Sequence, residues 1–580
     1  MSKSKRFTAQ EAATKLMEDS SEDDSEIEIR SSESESCDES QIVGDISTSE
    51  DNSANESEDL SQSATSIMEV DSIENSGDHE RLYTARNGKV FSSIPPPTSR
   101  TRAANIFTQK SGLKVSITNK LDAFEAFFTT QMFEIVVRET NAHGRRHGKD
   151  WSDTDIIEIR GFVGLMYLIG ISKGNHENVK DMWEVGPFNR PIFAASMSRN
   201  RFENILRHLR FDSRDTRSER RRADKFAPFR EFWNCFTEQA KSAYTPGEFV
   251  CVDEQLVPFR GRCAFRQYLP SKPDKYGLKI FMLVDCETGY VHSAIPYLGK
   301  ENNTIATNLA QKTVLKLATD LLHSGRNITA DNYFTSFELA QALLNKRTTY
   351  VGTIRKNKRD IPSEFNQKRK EGRVMFGFDK DNTLVSYAPR KNKNVQLLST
   401  MHHDKEVDNA TGKPEIILFY NSTKGSVDTV DQLCHSYSVQ RRTKRWPLAY
   451  FMNTLNLIGI NAFVCFNVKF KDWSKKSTKR RLFIKDLGMD LAKPLLQRRS
   501  NNIFGMHLST QNALQACGYN ITQTEPNQED IGSKSTRSRC YKCKLLKKDR
   551  KTSRVCQNCK NAVCAEHSNK EESYVCVPNC

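Results

Sequence analysis

The first half of the chain carries apolar residues at helical spacing. Between about Thr101 and Ala243, apolar residues recur three and four positions apart in separate stretches. The stretches are Phe124, Phe127 and Phe128, then Ile159, Phe162, Val163 and Met166, and later Phe202, Ile205, Leu206 and Leu209. Such stripes are typical of helices that bury one face, so this region is predicted to be helical and packed.

From Gly247 the period shortens to two, which indicates strands. Phe249, Cys251 and Asp253 alternate, and two further strands, Leu278 to Asp285 and Tyr290 to Tyr297, flank a Glu287-Thr288-Gly289 turn. The pattern continues as helix Thr304 to His323, strand Asn327 to Asp331, helix Ser336 to Asn345 and strand Thr348 to Ile354. Three antiparallel strands followed by alternating helices and strands predict an RNase H-like α/β core.

Residues 357–414 interrupt this pattern and are predicted to be an insertion. They are rich in Lys, Arg, Asn, Gly and Pro, with strand-like pieces at Val374 to Phe378 and Leu384 to Tyr387. A strand from Glu415 to Tyr420 is predicted to resume the core, followed by a helix from about Ser426 to Tyr437. Residues 447–470 are apolar and helical in pattern, and residues 520–539 form a polar linker.

The charged residues are unevenly distributed. Residues 18–80 hold 22 Asp and Glu against one basic residue, Arg30, whereas the whole chain carries a formal charge of +15. The acidic segment lacks the apolar residues needed for a core, so residues 1–100 are predicted to be disordered. The strongly basic remainder favours a polyanionic partner, with nucleic acid ahead of a membrane surface. The longest apolar stretch, around Gly161 to Ile171, is too short to span a bilayer, and a soluble intracellular protein is expected.

Four aspartates stand at positions where the predicted core gathers function. Asp253 and Asp331 lie at the ends of strands, and Asp428 and Asp431 are three apart near a helix start, on one face. Phosphodiester cleavage with two divalent cations needs several carboxylates at one point. The alternative is that these residues only cap turns and helices, as isolated Asp residues usually do.

Several ordered strings resemble the piggyBac transposase family from about residue 100 to the C-terminus. They are Val252-Asp253-Glu254-Gln255, Phe259-Arg260-Gly261-Arg262, Lys272-Pro273-Asp274-Lys275-Tyr276-Gly277, Asp331-Asn332-Tyr333-Phe334-Thr335-Ser336, Lys424-Gly425-Ser426-Val427-Asp428-Thr429-Val430-Asp431-Gln432 and Arg445-Trp446-Pro447. The resemblance implies that Asp253, Asp331 and Asp428 bind the catalytic metal, with Asp431 as a fourth carboxylate. Two Mg²⁺ ions are expected, because an all-oxygen site suits a hard cation.

The resemblance also implies a domain plan and a reaction. The plan is a disordered acidic region (1–100), a helical dimerisation and DNA-binding domain in two parts (101–247 and 438–519), a catalytic core in two parts (248–356 and 415–437), an insertion domain (357–414), a linker (520–539) and a zinc domain (540–580). The implied reaction frees a 3′-OH at each terminal inverted repeat, forms and reopens a hairpin, and joins the element to TTAA target DNA. A homodimer acting on double-stranded DNA is expected, without a membrane.

A basic run follows the last carboxylates. Gln440 to Pro447 contains Arg441, Arg442, Lys444, Arg445 and Trp446, a mixture of cations and an aromatic ring suited to a distorted or single-stranded DNA end. A buried core Trp beside a surface run is the alternative. The resemblance favours a role for Trp446 in hairpin formation, and it matches Arg355 and Lys358 to basic residues that approach target DNA.

The C-terminal residues carry eight possible zinc ligands in four pairs. The spacing is Cys540-x2-Cys543-x12-Cys556-x2-Cys559-x4-Cys564-x2-His567-x8-Cys576-x3-Cys580, enough for two tetrahedral Zn²⁺ sites. Pair order favours a cross-brace, with Cys540, Cys543, Cys564 and His567 on one ion and Cys556, Cys559, Cys576 and Cys580 on the other. RING and PHD-like modules share such spacing, but the family resemblance implies recognition of terminal-repeat DNA.

Three functions remain open at this point. The chain is an active transposase, a domesticated relative that binds DNA without cutting it, or a zinc-module protein of chromatin or the ubiquitin pathway. The complete set of carboxylates favours the first. The basic runs Lys475 to Arg481 and Lys542 to Lys551 are candidate nuclear import signals, so a nuclear location is expected.

Overall fold

The computed structural model describes most of the chain after residue 79. The described residues are 80–97, 105–148, 150–184, 186, 189–270, 272, 274–299, 308–503, 505–521, 538–546, 548–556, 559–570 and 574–576. The chain divides into a larger unit, residues up to 500 together with 506–520, and a smaller unit, residues 501–505 together with 521–580. The disorder predicted for residues 1–79 lies outside the described residues.

The strands of the larger unit range from two to ten residues in length. They are β1 (Leu82–Thr84), β2 (Val90–Ser92), β3 (Gly112–Leu113), β4 (Tyr244–Thr245), β5 (Phe249–Pro258), β6 (Arg266–Tyr268), β7 (Tyr276–Asp285), β8 (Val291–Pro296), β9 (Asn327–Ala330), β10 (Thr349–Thr353), β11 (Val374–Phe378), β12 (Thr383–Arg390) and β13 (Lys393–Ser399). Eleven of them form one sheet in the order β1-β2-β11-β12-β13-β10-β9-β5-β7-β6, with β8 also paired to β7.

The centre of this sheet has the arrangement predicted for residues 248–356. β5, β7 and β8 are antiparallel neighbours, and β9 and β10 then add in parallel beside β5. The parallel connections contain helices, as parallel strands require a crossover. β7 is buried along nearly its whole length, which explains its continuous apolar run.

Helices fill most of the remaining larger unit. They are α1 (Lys120–Glu125), α2 (Thr130–His147), α3 (Ile156–Ile171), α4 (Val179–Met182), α5 (Pro191–Ser196), α6 (Arg199–His208), α7 (Arg217–Ala223), α8 (Ala227–Ala243), α9 (Leu309–Leu317), α10 (Phe337–Leu344), α11 (Glu415–Thr423), α12 (Ser426–Ser436), α13 (Trp446–Lys469), α14 (Lys479–Ser500) and α15 (Leu508–Ala516). Most of the predicted helical stripes are buried, including Phe124, Phe162 and Phe202.

One face of the sheet is covered by a single large core that joins the two helical segments. Side chains from α1 to α3, α8 and α13 pack with Cys251, Val257 and Ile280 of the sheet. α3 and α14 approach so closely that a Cβ at Gly164 would lie 2.6 Å from the carbonyl oxygen of Gly488. Helices that flank the core in sequence therefore form one layer in space.

α13 is the one helix in the described residues that is long and apolar enough to cross a membrane. Its mean hydropathy reaches 1.4, and 94% of that window is buried inside the protein. The buried faces of α13 contact the sheet and the surrounding helices. The central position of α13 in the core explains its high content of apolar residues.

Three sequence expectations need correction. Residues 415–423 form helix α11, not a strand: Ile416, Ile417 and Tyr420 are buried at helical spacing. Residues 80–97 fall within the segment predicted to be disordered, yet β1 and β2 pair with each other and β2 pairs with β11. Asp253 lies in the middle of β5 and not at a strand end, because β5 continues to Pro258 in register with β7. The predicted insertion, residues 357–414, extends the same sheet: β13 pairs with β10 and carries β12 and β11 beyond it.

The smaller unit has few regular elements in its described residues. They are β14 (Ser538–Arg539), α16 (Tyr541–Leu545), β15 (Lys551–Thr552), β16 (Ser568–Lys570) and β17 (Tyr574–Cys576). Cys540, Cys543 and Cys564 form its small buried cluster. A segment this short needs a metal or disulfides to fold, because its apolar core is too small.

Candidate active site and zinc centre

Asp253 and Asp331 lie next to each other on neighbouring strand paths. β5 and β9 run parallel with Val252 opposite Ala330, so Asp253 and Asp331 are the next residues on the two paths. Residues paired in register point to the same side of a sheet, and neighbouring strands lie about 4.8 Å apart. The parallel register therefore places both carboxylates side by side.

The helix α12 brings the other two aspartates close to Asp253 and Asp331. The thiol of Cys251 donates to the carbonyl oxygen of Lys424 at 3.2 Å, which holds the start of α12 against β5. Asp428 lies in the first turn, where the helix dipole favours a negative charge. The Asp428 side chain is 60% exposed and the Asp431 side chain is 26% exposed.

The carboxylates repel one another in the absence of a cation. Burial and the charges of Glu254 and Asp331 raise the pKa of Asp253 well above its usual value. Burial and the charge of Glu254 raise the pKa of Asp331 to about 6. Two partly buried carboxyl groups that resist ionisation together form a site that a bound cation stabilises.

Asp431 is held by a chain of buried amides. The Gln255 Nε2 donates to Asp431 Oδ1 at 2.9 Å, and the Asn453 Nδ2 donates to Gln255 Oε1 at 2.8 Å. Burial raises the pKa of Asp431, and the Gln255 hydrogen bond opposes that rise. Because Asn453 fixes the Gln255 amide, the second oxygen of Asp431 keeps a defined direction.

Two charged residues at this site received no role from the sequence. Lys272 Nζ lies 3.5 Å from Asp428 Oδ1, and Lys279 Nζ lies 3.5 Å from Glu254 Oε2. Burial lowers the pKa of Lys272, but the charges of Asp428, Asp253 and Glu254 outweigh it and raise the pKa overall. Lys272 belongs to one of the strings that resemble the family, and this was the feature of the sequence that could have indicated its role at the site.

The donor set suits a hard divalent cation. Asp253, Asp331, Asp428 and Asp431 offer only oxygen, which Mg²⁺ prefers. The raised pKa values mark negative charge that the surrounding protein does not neutralise. The oxygens are nevertheless more widely spaced than the zinc ligands: among the described residues, only the Cys and His group of the smaller unit brings three or more such atoms within 4.8 Å of one another.

Two predicted DNA-binding arginines are engaged inside the protein. Arg441 donates to the carbonyl oxygens of Gly174 at 3.0 Å and Glu177 at 2.7 Å, and burial lowers its pKa. Arg445 donates to carbonyl oxygens at the C-terminal end of α6, including that of Arg207 at 2.8 Å. Arg442 and Lys444 are exposed. The basic run is therefore partly a structural clamp.

Trp446 and the target-side residues occupy different surroundings. The Trp446 ring stacks on Phe226 at 5.4 Å and meets Phe265 edge-on at 5.0 Å, so it is partly buried at the border of the large core. The exposed Arg355 donates from Nε to Asn332 Oδ1 at 3.3 Å, beside Asp331. Lys358 is partly buried three residues further along.

The first predicted zinc set is brought together in the smaller unit. The ligand atoms of Cys540, Cys543, Cys564 and His567 all lie within 4.8 Å of one another. His567 Nδ1 lies 3.3 Å from Cys564 Sγ and 3.4 Å from Cys543 Sγ. Three thiolates and one imidazole in this spacing fit a tetrahedral structural zinc site.

The second predicted zinc set is only partly described. Cys556 is buried and Cys559 is exposed, and a bridge between Val555 and Ala562 closes the turn that carries both. The side chain of Cys576 and the whole of Cys580 lie outside the described residues. The second set therefore stays a prediction.

The fold and site define a class: a mixed α/β sheet with carboxylates on the adjoining paths of β5 and β9 and on the nearby helix α12, suited to metal-dependent chemistry. The family model described as Transposase IS4 matches residues 119–463, more than half of the chain. A solved structure of a piggyBac transposase synaptic complex with hairpin DNA is 34% identical, with a TM-score of 0.67, over 81% of this chain and 99% of that one. The chain belongs to this transposase family and is of the piggyBac type, which confirms the sequence resemblance.

Human relatives match over a smaller part of their length. PiggyBac transposable element-derived protein 3 of Homo sapiens is 25% identical over 364 residues, which is 59% of this chain and 60% of that protein. PiggyBac transposable element-derived protein 5 of Homo sapiens is 26% identical over 169 residues, 27% of this chain and 31% of that protein. The chain thus spans about 60% of the length of the first of these relatives.

Proposed function

We propose that this protein is an active cut-and-paste DNA transposase. The observation that supports the proposal best is the convergence of Asp253 and Asp331 on the adjoining paths of β5 and β9, with α12 carrying Asp428 and Asp431 beside them. Their raised pKa values are what a site for divalent cations has before the cations bind. The antiparallel strands β5, β7 and β8, followed by the parallel β9 and β10, support an RNase H-like core.

The proposed chemistry cuts one strand, forms a hairpin and joins ends. Bound Mg²⁺ would activate the attacking oxygen and neutralise the leaving oxygen in each phosphodiester transfer. Asp253, Asp331 and Asp428 would hold the ions, and Asp431 would supply the fourth carboxylate. Water frees a 3′-OH, this hydroxyl attacks the opposite strand to form a hairpin, water reopens it, and the 3′-OH then attacks TTAA target DNA.

The substrates and partners follow from charge and from the family. The basic body favours double-stranded DNA, with terminal inverted repeats bound by the zinc-containing unit and by the helical segments. Among the residues predicted to contact DNA, Arg355, Arg442 and Lys444 keep exposed side chains. We further propose a homodimer that acts in the nucleus and carries two structural Zn²⁺ ions per chain.

A domesticated, catalytically reduced DNA-binding protein is the second candidate. The names of the human relatives describe them as derived from a transposable element, which makes this alternative worth testing. It predicts that DNA binding persists while cleavage is absent. The intact carboxylate set argues for the active enzyme.

Cleavage of a TTAA-flanked transposon end tests the proposal. Purified protein is incubated with Mg²⁺ and the end fragment, and nicks and hairpins are resolved on denaturing gels. We expect products with the wild type and a loss of at least a hundredfold with Asp331→Asn, whereas Asp274→Asn, a change to an exposed carboxylate, retains activity. Equal cleavage by wild type and Asp331→Asn would refute the mechanism, and binding without cleavage by the wild type would favour the domesticated protein.

A further inference from the structure

Two tyrosines on the β6–β7 hairpin expose a large part of their side chains to solvent. Tyr268 is 55% exposed and Tyr276 is 41% exposed. In the described part of the chain, Tyr541 of the smaller unit is the only other Phe, Tyr or Trp with such exposure. Aromatic rings contribute most when buried, so paired exposed rings on an edge hairpin indicate a binding surface.

The two rings form one surface. Tyr268 and Tyr276 are direct partners in the β6–β7 register, and their ring centroids lie 4.8 Å apart at an interplanar angle of 39°. The Arg266 guanidinium lies over the Tyr276 ring at 5.5 Å. Arg266 Nη1 also donates to the carbonyl oxygens of Arg260 at 3.0 Å and Gly261 at 2.9 Å, which fixes the guanidinium in place.

The charges around this aromatic pair are mostly positive. Arg260, Arg262, Arg266 and Lys275 are exposed, and Lys272 stands at the tip of the hairpin. Asp274 is the acidic member of the hairpin and faces His435 at 3.7 Å. Exposed rings among cations are the combination that binds nucleic-acid strands, since cations neutralise phosphates while rings stack on bases.

The hairpin is connected directly to the carboxylate site. Lys272 at its tip contacts Asp428, and Tyr276 lies on the same strand as Met282, the register partner of Asp253. Tyr276 and Met282 are six positions apart and therefore share a face of the sheet. At about 3.3 Å per residue, Tyr276 lies about 20 Å along β7 from Met282, roughly the length of six base pairs of DNA.

We propose that Tyr268 and Tyr276 form a stacking platform for unpaired bases of the DNA strand that leaves the active site. The inference rests on the proposed function, because it needs DNA at the carboxylates. Bases in an intact duplex are already stacked on each other, whereas an unpaired base has a free face for a tyrosine ring. Arg260 and Arg262 hold the backbone of the same strand.

Binding of single-stranded and double-stranded probes by the full chain tests this platform. Affinities are measured by fluorescence anisotropy without added Mg²⁺ and without a chelator, so that the smaller unit keeps its metal. The probes are a 20-nucleotide oligo(dT), a blunt duplex, and the same duplex with a single-stranded TTAA overhang. The variants are Tyr268→Ala/Tyr276→Ala and, as the matched control, Tyr268→Phe/Tyr276→Phe, which keeps both rings. Thermal unfolding verifies that each variant remains folded.

The alanine variant is expected to bind oligo(dT) and the overhang probe about tenfold more weakly, with less than a twofold change on the blunt duplex. The phenylalanine variant should retain wild-type affinity. Because stacking releases few counterions, the salt dependence of the remaining binding should not change, whereas Arg260→Met/Arg262→Met should reduce its slope.

Two results would overturn the platform, and a third concerns the proposed function alone. Unchanged single-strand affinity in the alanine variant, or an equal loss on the blunt duplex, contradicts selective stacking. Mg²⁺-dependent cleavage by the wild type is measured in parallel. If the wild type cleaves and the alanine variant binds normally, only the platform is wrong; if the wild type does not cleave, the catalytic proposal fails and the affinities still decide the platform.

Discussion

Replacing Asp331 by Asn removes a partly buried negative charge from beside Asp253. The pKa of Asp331 is raised by burial and by the charge of Glu254, from 3.8 to about 6. At about 1.4 kcal/mol per pKa unit, this difference means that ionised Asp331 costs about 3 kcal/mol of folding free energy. The asparagine is nearly the same size and carries no charge, so it should avoid this cost.

The effect depends on pH with a defined sign. The folded-state pKa of Asp331 lies above the unfolded-state value, so the cost is absent below the unfolded value of 3.8 and complete above about pH 6. In the absence of divalent cations, Asp331→Asn should therefore raise the free energy of unfolding by up to about 3 kcal/mol at about pH 8. At about pH 4 the change should be close to zero.

Urea unfolding followed by tryptophan fluorescence measures this change. All five tryptophans lie before residue 500, so the signal reports the larger unit even when a chelator removes metal from the smaller one. Added Mg²⁺ should stabilise the wild type and lose its effect on the variant, since the bound ion needs the carboxylate. Asp274→Asn, at a side chain that is 48% exposed, provides the control. The reasoning is refuted if Asp331→Asn is not stabilising near pH 8, or if it stabilises equally at both pH values.

Three further changes test other parts of the structure. Lys272→Met should lower the metal-free stability by roughly 1–3 kcal/mol and enlarge the stabilisation by Mg²⁺, as measured by urea unfolding, while the exposed Lys275→Met should do neither. Arg441→Met should lower the free energy of unfolding by about 2–4 kcal/mol in the same assay, because two carbonyl groups lose their hydrogen-bond donor. Arg442→Met should leave stability unchanged but weaken DNA binding, with a smaller dependence of affinity on salt in anisotropy titrations. Cys543→Ser should reduce the bound zinc by one ion per chain in metal analysis and make the C-terminal unit sensitive to protease; unchanged zinc content would exclude the proposed first site.

Helix α11 shows where sequence periodicity stops being informative. Residues 416–420 are a continuous apolar run rich in Ile and aromatic residues, and such a run has the same appearance in a buried strand and in a short buried helix. Pro414 directly before Glu415 was the usable signal, because Pro is favoured at the start of a helix. The structure buries Ile416, Ile417 and Tyr420, which is one face of a helix.

The carboxylate positions could be predicted because each follows a local pattern. Asp331 directly follows a recognisable strand, Asp253 lies within one, and α12 begins where the sequence predicts a helix. The partners of these residues depend on long-range contacts: Lys272 reaches Asp428 from a hairpin 156 positions earlier, and no local period carries that information.

The basic run at residues 441–445 shows the same limit for charges. Arg441 binds carbonyl oxygens of the loop after α3, and Arg445 binds carbonyl oxygens at the C-terminal end of α6, whereas Arg442 is exposed between them. Neighbouring arginines in an irregular segment point in different directions, so a charge pattern cannot separate a structural clamp from a DNA contact.

Because of the register between β5 and β9, the site is sensitive to the loss or gain of a single residue in β9. Asp331 follows Ala330, whose side chain packs in the core on the opposite face from Thr329. Loss of one codon within Asn327–Ala330 would turn the aspartate toward that core, because faces alternate along a strand. A gene copy with such an in-frame deletion would lose the carboxylate pair in one step, although every aspartate codon of the site would remain in the sequence.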